Sequence, residues 1–164
     1  MSGETSLMMQ ESVLDILEKQ VDSKYYLSDT LKPTILADGS KNFRASSEIN
    51  KLIARPLTAT MVKMHRACQD NYFSEEFINS PDPVRYLDQT FSKEELARHH
   101  IRKLTPSEAF ALQGFPRDFI HKAQQAGVSN HQLYKQAGNA VSVNTVYAIL
   151  HYLFITQNLQ QYVL

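Results

Sequence analysis

The chain has 164 residues, 43% of them apolar, and a formal net charge of zero, which suits one domain or two small lobes around a core of moderate size. No run of 18 apolar residues occurs, so a membrane-spanning helix is not expected, and residues 1–10 lack the basic and apolar stretches of a secretory signal. The one cysteine, Cys68, excludes an internal disulfide framework and a multi-cysteine zinc site, and a reducing, intracellular (cytoplasmic) setting is expected.

Residues 1–11 are small or polar without pattern and are expected to be disordered. Ser12 opens a predicted short helix, SVLDILEKQ, whose Val13, Leu14, Ile16 and Leu17 form an apolar stripe. Lys24–Leu27 is extended in character. From Lys32 to Asp70, Pro33, Gly39 and Pro56 punctuate short β-type runs such as PTILA and LTATMV, which predicts a small, irregular β-rich lobe. Residues 79–91 read as a loop, with Pro81 and Pro83 blocking regular structure, and SKEELARH (92–99) as one or two helical turns.

From Thr105 the signals are sharper. Thr105-Pro106-Ser107-Glu108 spells a capping box with proline at the first helical position, and Gly114 with Pro116 stops that helix. A second helix is expected from about Arg117 to Gly127 and a third from Ser129. A last helix carries Val143, Val146, Tyr147, Ile149, Leu150, Leu153 and Phe154 at helical spacing, which predicts one broad buried face. The turn before it contains Gly138 and Asn139. It reads either as a simple helix entry or as a close-approach loop touching a ligand or a second chain. The fold class expected from this pattern is α+β, with a β-rich first half and a helical second half.

Charge is unevenly spread. From Lys41 to Arg66 six basic residues face one acidic residue, Glu48, whereas from Asp70 to Glu95 seven acidic residues face Arg85 and Lys93. The basic stretch is either a solvated face or a phosphate-facing surface. Little else in the chain carries chemistry. Cys68 stands near His65 and Arg66, but no base and orienting group accompany it in a nucleophile's arrangement, so it reads as a small structural residue. His99 and His100 are adjacent and cannot share a helix face as metal ligands, and the other histidines are scattered, so no metal site is expected. None of the five glycines forms a phosphate-binding loop.

Two segments match a known family. Arg102-Lys103-Leu104-Thr105-Pro106-Ser107-Glu108, continuing to Leu112-Gln113-Gly114-Phe115-Pro116, resembles the ninth conserved motif of DNA cytosine-5 methyltransferases. Gln136-Ala137-Gly138-Asn139-Ala140-Val141-Ser142-Val143-Asn144 is similar to the tenth and last motif, in the right order and spacing. Val13 to Asp29 resembles the segment that often follows the eighth motif, and Ala54 to Tyr72 sits where the family's target recognition domain meets DNA.

The resemblance implies residues 12–100 as a target recognition region and 101–164 as a helical motif IX and motif X segment that would complete a Rossmann-like methyltransferase domain. It implies a pocket for S-adenosylmethionine lined on one side by Asn139, Ala140 and Val141. It implies a double-stranded DNA surface, for which the candidate residues are Lys51, Arg55, Thr58, Thr60, Lys63, His65 and Arg66. Arg102, Thr105, Pro106, Glu108, Gln113 and Gly114 are the candidate structural residues of motif IX.

The resemblance also marks what is missing. The family's thiolate nucleophile lies in a Pro-Cys motif, its assisting glutamate in Glu-Asn-Val, and its early cofactor loop in Phe-x-Gly-x-Gly; none of these strings occurs in this chain. Ala67-Cys68-Gln69 lacks the proline and falls in the recognition region, so no catalytic residue is assigned. Pro56 before Leu57, where the family usually has Thr, and Ser107, where many members have Arg, depart from the pattern. The expected function is therefore the C-terminal subunit or fragment of a DNA cytosine-5 methyltransferase, prokaryotic and of the restriction–modification type. It is expected to be inactive without a complementary polypeptide carrying the early motifs. The alternative is a non-catalytic, sequence-specific DNA-binding module derived from such an enzyme.

Overall fold

Extended pairing among the described residues is confined to a short antiparallel ribbon. Strands β1 (Tyr72–Ser74) and β2 (Ile101–Lys103) pair Tyr72 with Lys103, Phe73 with Arg102 and Ser74 with Ile101, and Tyr26 adds an isolated bridge to Arg102. The computed structural model describes residues 12–39, 42 and 44–157. The expectation for residues 1–11 lies outside them.

The β-rich lobe expected in the first half is replaced by turns and short helices. PTILA forms helix α1 (Lys32–Leu36), because Pro33 sits in the first turn, where no backbone N–H is needed. LTATMV runs into a 3₁₀ turn, Met61–Lys63, and forms no strand. Its β-branched residues fit a pleated surface, but no neighbouring strand offers one. The predicted helix at SVLDILEKQ shrinks to a 3₁₀ turn, Val13–Asp15, closed by a capping box between Ser12 and Asp15. The extended stretch 24–27 likewise begins inside a 3₁₀ turn, Ser23–Tyr25. After β1 come α2 (Glu75–Ile78) and α3 (Pro83–Leu87). In α3, Pro83 starts a helix instead of blocking one, behind an Asp82 side chain that accepts from the Arg85 amide. Helix α4 (Lys93–Leu96) follows with the Ser92–Glu95 capping box.

The second half follows its sequence closely. Helix α5 (Pro106–Leu112) has the Thr105–Glu108 box in place, and Gly114 adopts φ +83, the left-handed conformation that ends a helix at little cost in glycine. Helices α6 (Arg117–Gln125) and α7 (Asn130–Asn139) come next, α7 capped by Ser129. Phe110, Ile120, Leu133, Tyr134 and Ala137 from α5, α6 and α7 share a core with Tyr25. Two further clusters lie under the first half: one joins Leu27, Ile35, Leu36 and Tyr72, the other Val13, Phe73, Phe77 and Leu104. Each fully buried Leu, Ile or Phe contributes roughly 1.5–3 kcal/mol.

The chain closes on α8 (Val143–His151), continued by a π-helical turn, Tyr152–Thr156. The spacing predicted a broad buried face, yet no residue of α8 is buried. Val146, Tyr147, Ile149 and Leu150 all stand exposed. Nothing among the described residues covers them. No helix among those residues is long and apolar enough to cross a membrane.

Candidate nucleic-acid interface and the turn beside it

The frame of the site is a buried ion pair. Arg102 on β2 and Glu108 on α5 meet through two bonds, Nη2 to Oε1 at 2.7 Å and Nη1 to Oε2 at 2.9 Å. The guanidinium also donates to the Glu18 and Lys103 carbonyls. Glu108 accepts from the Glu18 and Thr105 amides at 2.8 and 2.7 Å. Two charges out of water are costly unless such bonds occupy their remaining polar atoms. Here the network ties the segment around residue 18, strand β2 and the start of α5 into one unit. Further along motif IX, Gln113 donates from Nε2 to the Ala137 carbonyl at 3.0 Å and accepts at its own carbonyl from the Val143 amide at 2.8 Å. Motifs IX and X are therefore bonded to each other.

The segment from Arg55 to Asp70 lies against this frame. Asn71 spans both backbone groups of Arg55, accepting from its N–H at 2.7 Å and donating to its carbonyl at 3.0 Å, as a strand partner would. The Tyr72 hydroxyl donates to the His65 carbonyl at 2.6 Å, and burial pushes that phenol far above its ordinary pKa. Met64 holds a left-handed conformation (φ 54), uncommon for a residue with a side chain, so the 64–66 turn is tightly specified. At its surface Thr58, Thr60 and His65 form a chain: Thr58 Oγ1 to Thr60 Oγ1 at 3.4 Å, then Thr60 Oγ1 to His65 Nε2 at 3.1 Å.

Five of the seven expected DNA contacts converge. Arg55, Thr58, Thr60 and His65 line one cleft of about 440 Å³ together with Pro56, Cys68, Gln69 and Asp70. His65 and Arg66 line a neighbouring one with Met64, Cys68 and Gln69. Lys63 is exposed on the 3₁₀ turn between them. Lys51 is elsewhere: it borders a separate groove with Ile53, Tyr86 and Phe91 and bonds Glu48 at 2.7 Å. That hydrogen bond holds the Glu48 carboxyl below its ordinary pKa, and Arg55 approaches the same oxygen at 3.9 Å. Two of the six basic residues of this stretch, Lys51 and Arg55, are thus drawn toward Glu48. Lys63 and Arg66 form no ion pair among the described residues.

Sequence reasoning missed Gln69, Asp70 and Asn71. Asp70 is only 6% exposed, its Oδ2 is buried without a protein partner, and burial raises its carboxyl pKa. The signal was the polar pair before Tyr72, Asp70 and Asn71, which has no reason to be buried unless it organises backbone.

The Gly138–Asn139 pair is not in the turn where it was expected. Both residues form the last turn of α7, and the connection to α8 is Ala140–Ser142. Gly138 does make a close approach, but to this chain's own Thr58–Ala59 backbone. Asn139 is exposed, Ala140 half-buried and Val141 68% exposed, so the turn opens outward beside the bare face of α8. No cluster of three metal-ligating side chains forms among the described residues.

The arrangement has relatives. The fold resembles the methyltransferase EhMeth of Entamoeba histolytica with a TM-score of 0.63 over 90% of this chain and 42% of that one, at 19% identity. The S. pombe Dnmt2 methyltransferase gives 0.60 over the same shares, also at 19% identity. Residues 2–154 match the model of the C-5 cytosine-specific DNA methylases, and the chain belongs to that family. It is 36% identical over 145 residues to the type II methyltransferase M1.ScrFI of Lactococcus lactis subsp. cremoris, covering 88% of this chain and 32% of that protein. It is 33% identical to the type II methyltransferase M.SsoII of Shigella sonnei, over 88% of this chain and 32% of that protein. A shorter stretch of 62 residues, 38% of this chain and 12% of the relative, is 45% identical to the orphan methyltransferase M.Rho11sI of Bacillus phage rho11s. The chain thus spans about a third of the length of the two type II relatives.

Proposed function

We propose that this chain is the target-recognition and motif IX–X portion of a DNA cytosine-5 methyltransferase, acting on double-stranded DNA together with a complementary polypeptide that carries the early motifs. One observation carries this reading. Thr58, Thr60, His65 and Arg66 stand together on clefts held by Tyr72, Asn71 and α7, with Lys63 exposed beside them. Lys63 suits a phosphate, which contributes affinity without sequence choice. Arg66 can bond guanine N7 and O6 together, and His65 and the threonines can reach other base edges, so these residues set the target.

On the other side, Ala140 and Val141 are small enough to let a ligand approach the turn, and the Asn139 carboxamide offers a donor and an acceptor. These residues fit one wall of an S-adenosylmethionine pocket, and the cofactor supplies the methyl group when bound. The remaining walls, and the cysteine nucleophile that acts on a base turned out of the duplex, belong to the complementary portion. That portion also covers Val146, Ile149 and Leu150, whose exposure on α8 supports a missing neighbour.

The test is the target itself. Bisulfite sequencing of a plasmid library methylated by the assembled enzyme reads which sequence contexts receive the methyl group. His65→Ala with Arg66→Ala is expected to relax the preference at one or two base pairs. An unchanged preference would place the reading surface elsewhere.

A further inference from the structure

Gly138 has an ordinary helical backbone, since its φ is not among the positive values found at Gly39, Gly114 and Gly127. Conformational freedom therefore does not explain a glycine in α7, where alanine is the better helix former. Space does. A Cβ at this position would fall 2.1 Å from the Thr58 carbonyl carbon, 2.2 Å from its oxygen and 2.3 Å from the Ala59 nitrogen. These are backbone atoms, which cannot rotate aside as a side chain would.

The contact lies between two anchors. Leu57 and Met61, on either side of Thr58–Ala59, pack against the core that contains Leu133, Tyr134 and Ala137. Thr58 and Thr60 are exposed, and their hydroxyls lead through the 3.4 and 3.1 Å contacts to His65. The reading residues therefore rest on the backbone of α7, and α7 runs directly into the Ala140–Ser142 connection.

Resting on the reading of residues 55–66 as the DNA surface, we propose that Gly138 is a positioning residue that fixes the height of the Thr58–His65 reading surface above motif X. A methyl group here forces the Thr58–Ala59 backbone to retreat from 2.1 Å toward the 3.4 Å of ordinary contact. The shift carries Thr60 and His65 with it. Misplacement on this scale costs up to roughly 100-fold where geometry decides recognition.

The experiment uses the complete methyltransferase and measures KM for duplex DNA, KM for S-adenosylmethionine and the bisulfite context profile. Gly138→Ala is expected to raise the DNA KM by roughly 10- to 100-fold and to blur the context profile, with the cofactor KM unchanged. Thr58→Ala added to it should not rescue, because the clash is with backbone. Should Gly138→Ala not fold, Met61→Ala decides the matter: it removes an anchor of the same seat without a clash and should blur the profile in the same direction. A folded Gly138→Ala enzyme with wild-type DNA KM and profile overturns the proposal, as does an equal loss of cofactor affinity. If His65→Ala relaxes the profile while Gly138→Ala and Met61→Ala do not, only the positioning role fails. If all three are silent, the reading of the surface fails with it.

Discussion

Arg102 carries a full charge and is 1% exposed, whereas Ile149 is aliphatic and 53% exposed. Hydrophobicity alone would place them the other way round. The difference lies in what each finds within this chain. Arg102 meets a carboxylate and two carbonyls, so its burial leaves few donors unanswered. Ile149 and Leu150 on α8 are left about half exposed, with nothing among the described residues burying them, although their spacing is that of a core helix. The motif IX region satisfies its buried charges within this chain, whereas α8 leaves an apolar face uncovered among the described residues.

This contrast can be broken most severely at Arg102. Arg102→Ala leaves Glu108 as an uncompensated buried charge and is expected to cost about 3–5 kcal/mol, a large share of a small domain's stability. Urea denaturation followed by circular dichroism measures it. A cost under about 1 kcal/mol would show that the network is incidental.

The opposite result is expected on α8. Ile149→Ser with Leu150→Ser should change the stability of this chain by no more than about 0.5 kcal/mol, because nothing is unpacked. The same pair of changes should lower binding of a hydrophobic dye to the free chain and abolish its association with the complementary polypeptide. Substantial destabilisation of the isolated chain would mean that the face is covered after all.

The contrast also explains what was legible in the sequence. The capping box at Thr105–Glu108, the stop at Gly114 and the courses of α6 and α7 were readable because their signals span three or four residues. The far partner of Arg102 was not, since its bond to the Glu18 carbonyl joins positions 84 residues apart. The β-rich lobe failed for a related reason: a strand needs a neighbour, and PTILA and LTATMV have none. Pro33 and Pro83 were read as breakers but act at first helical turns. Gly138 drew attention for the right property, close approach, in the wrong element and toward the wrong partner. Thr58, Thr60, His65 and Arg66 were singled out because residues 54–72 fall where the family's recognition region lies, and the structure brings them onto adjoining clefts. The residues that hold them, Asn71 and Tyr72, were visible only once their backbone partners were known.

A finer test concerns phosphate contact. Lys63→Ala in the assembled enzyme should weaken binding to all duplexes alike and reduce the slope of log affinity against log salt by about one. A sequence-dependent loss would make Lys63 a base reader. The smallest expected effect is at Asp70. Burial raises its folded pKa above the 3.8 of a free aspartate, so the folded state holds its proton more tightly than the unfolded one. Stability is then lost as pH rises from that value through the folded pKa. Asp70→Asn should remove this dependence and be at least as stable as wild type at neutral pH, with the difference vanishing below about pH 4. Melting temperatures across that range measure it. A variant destabilised at neutral pH would show that the charge is needed to hold the His65 turn.

The central claim, that this chain chooses the DNA target and shares the cofactor pocket without performing the chemistry, is tested most directly by methyl transfer. Purified chain is incubated with duplex DNA and radiolabelled S-adenosylmethionine, alone and with the complementary polypeptide bearing the Pro-Cys motif. The account predicts no incorporation by the chain alone and incorporation on mixing. Methylation by the chain alone that is abolished by Cys68→Ser would contradict it.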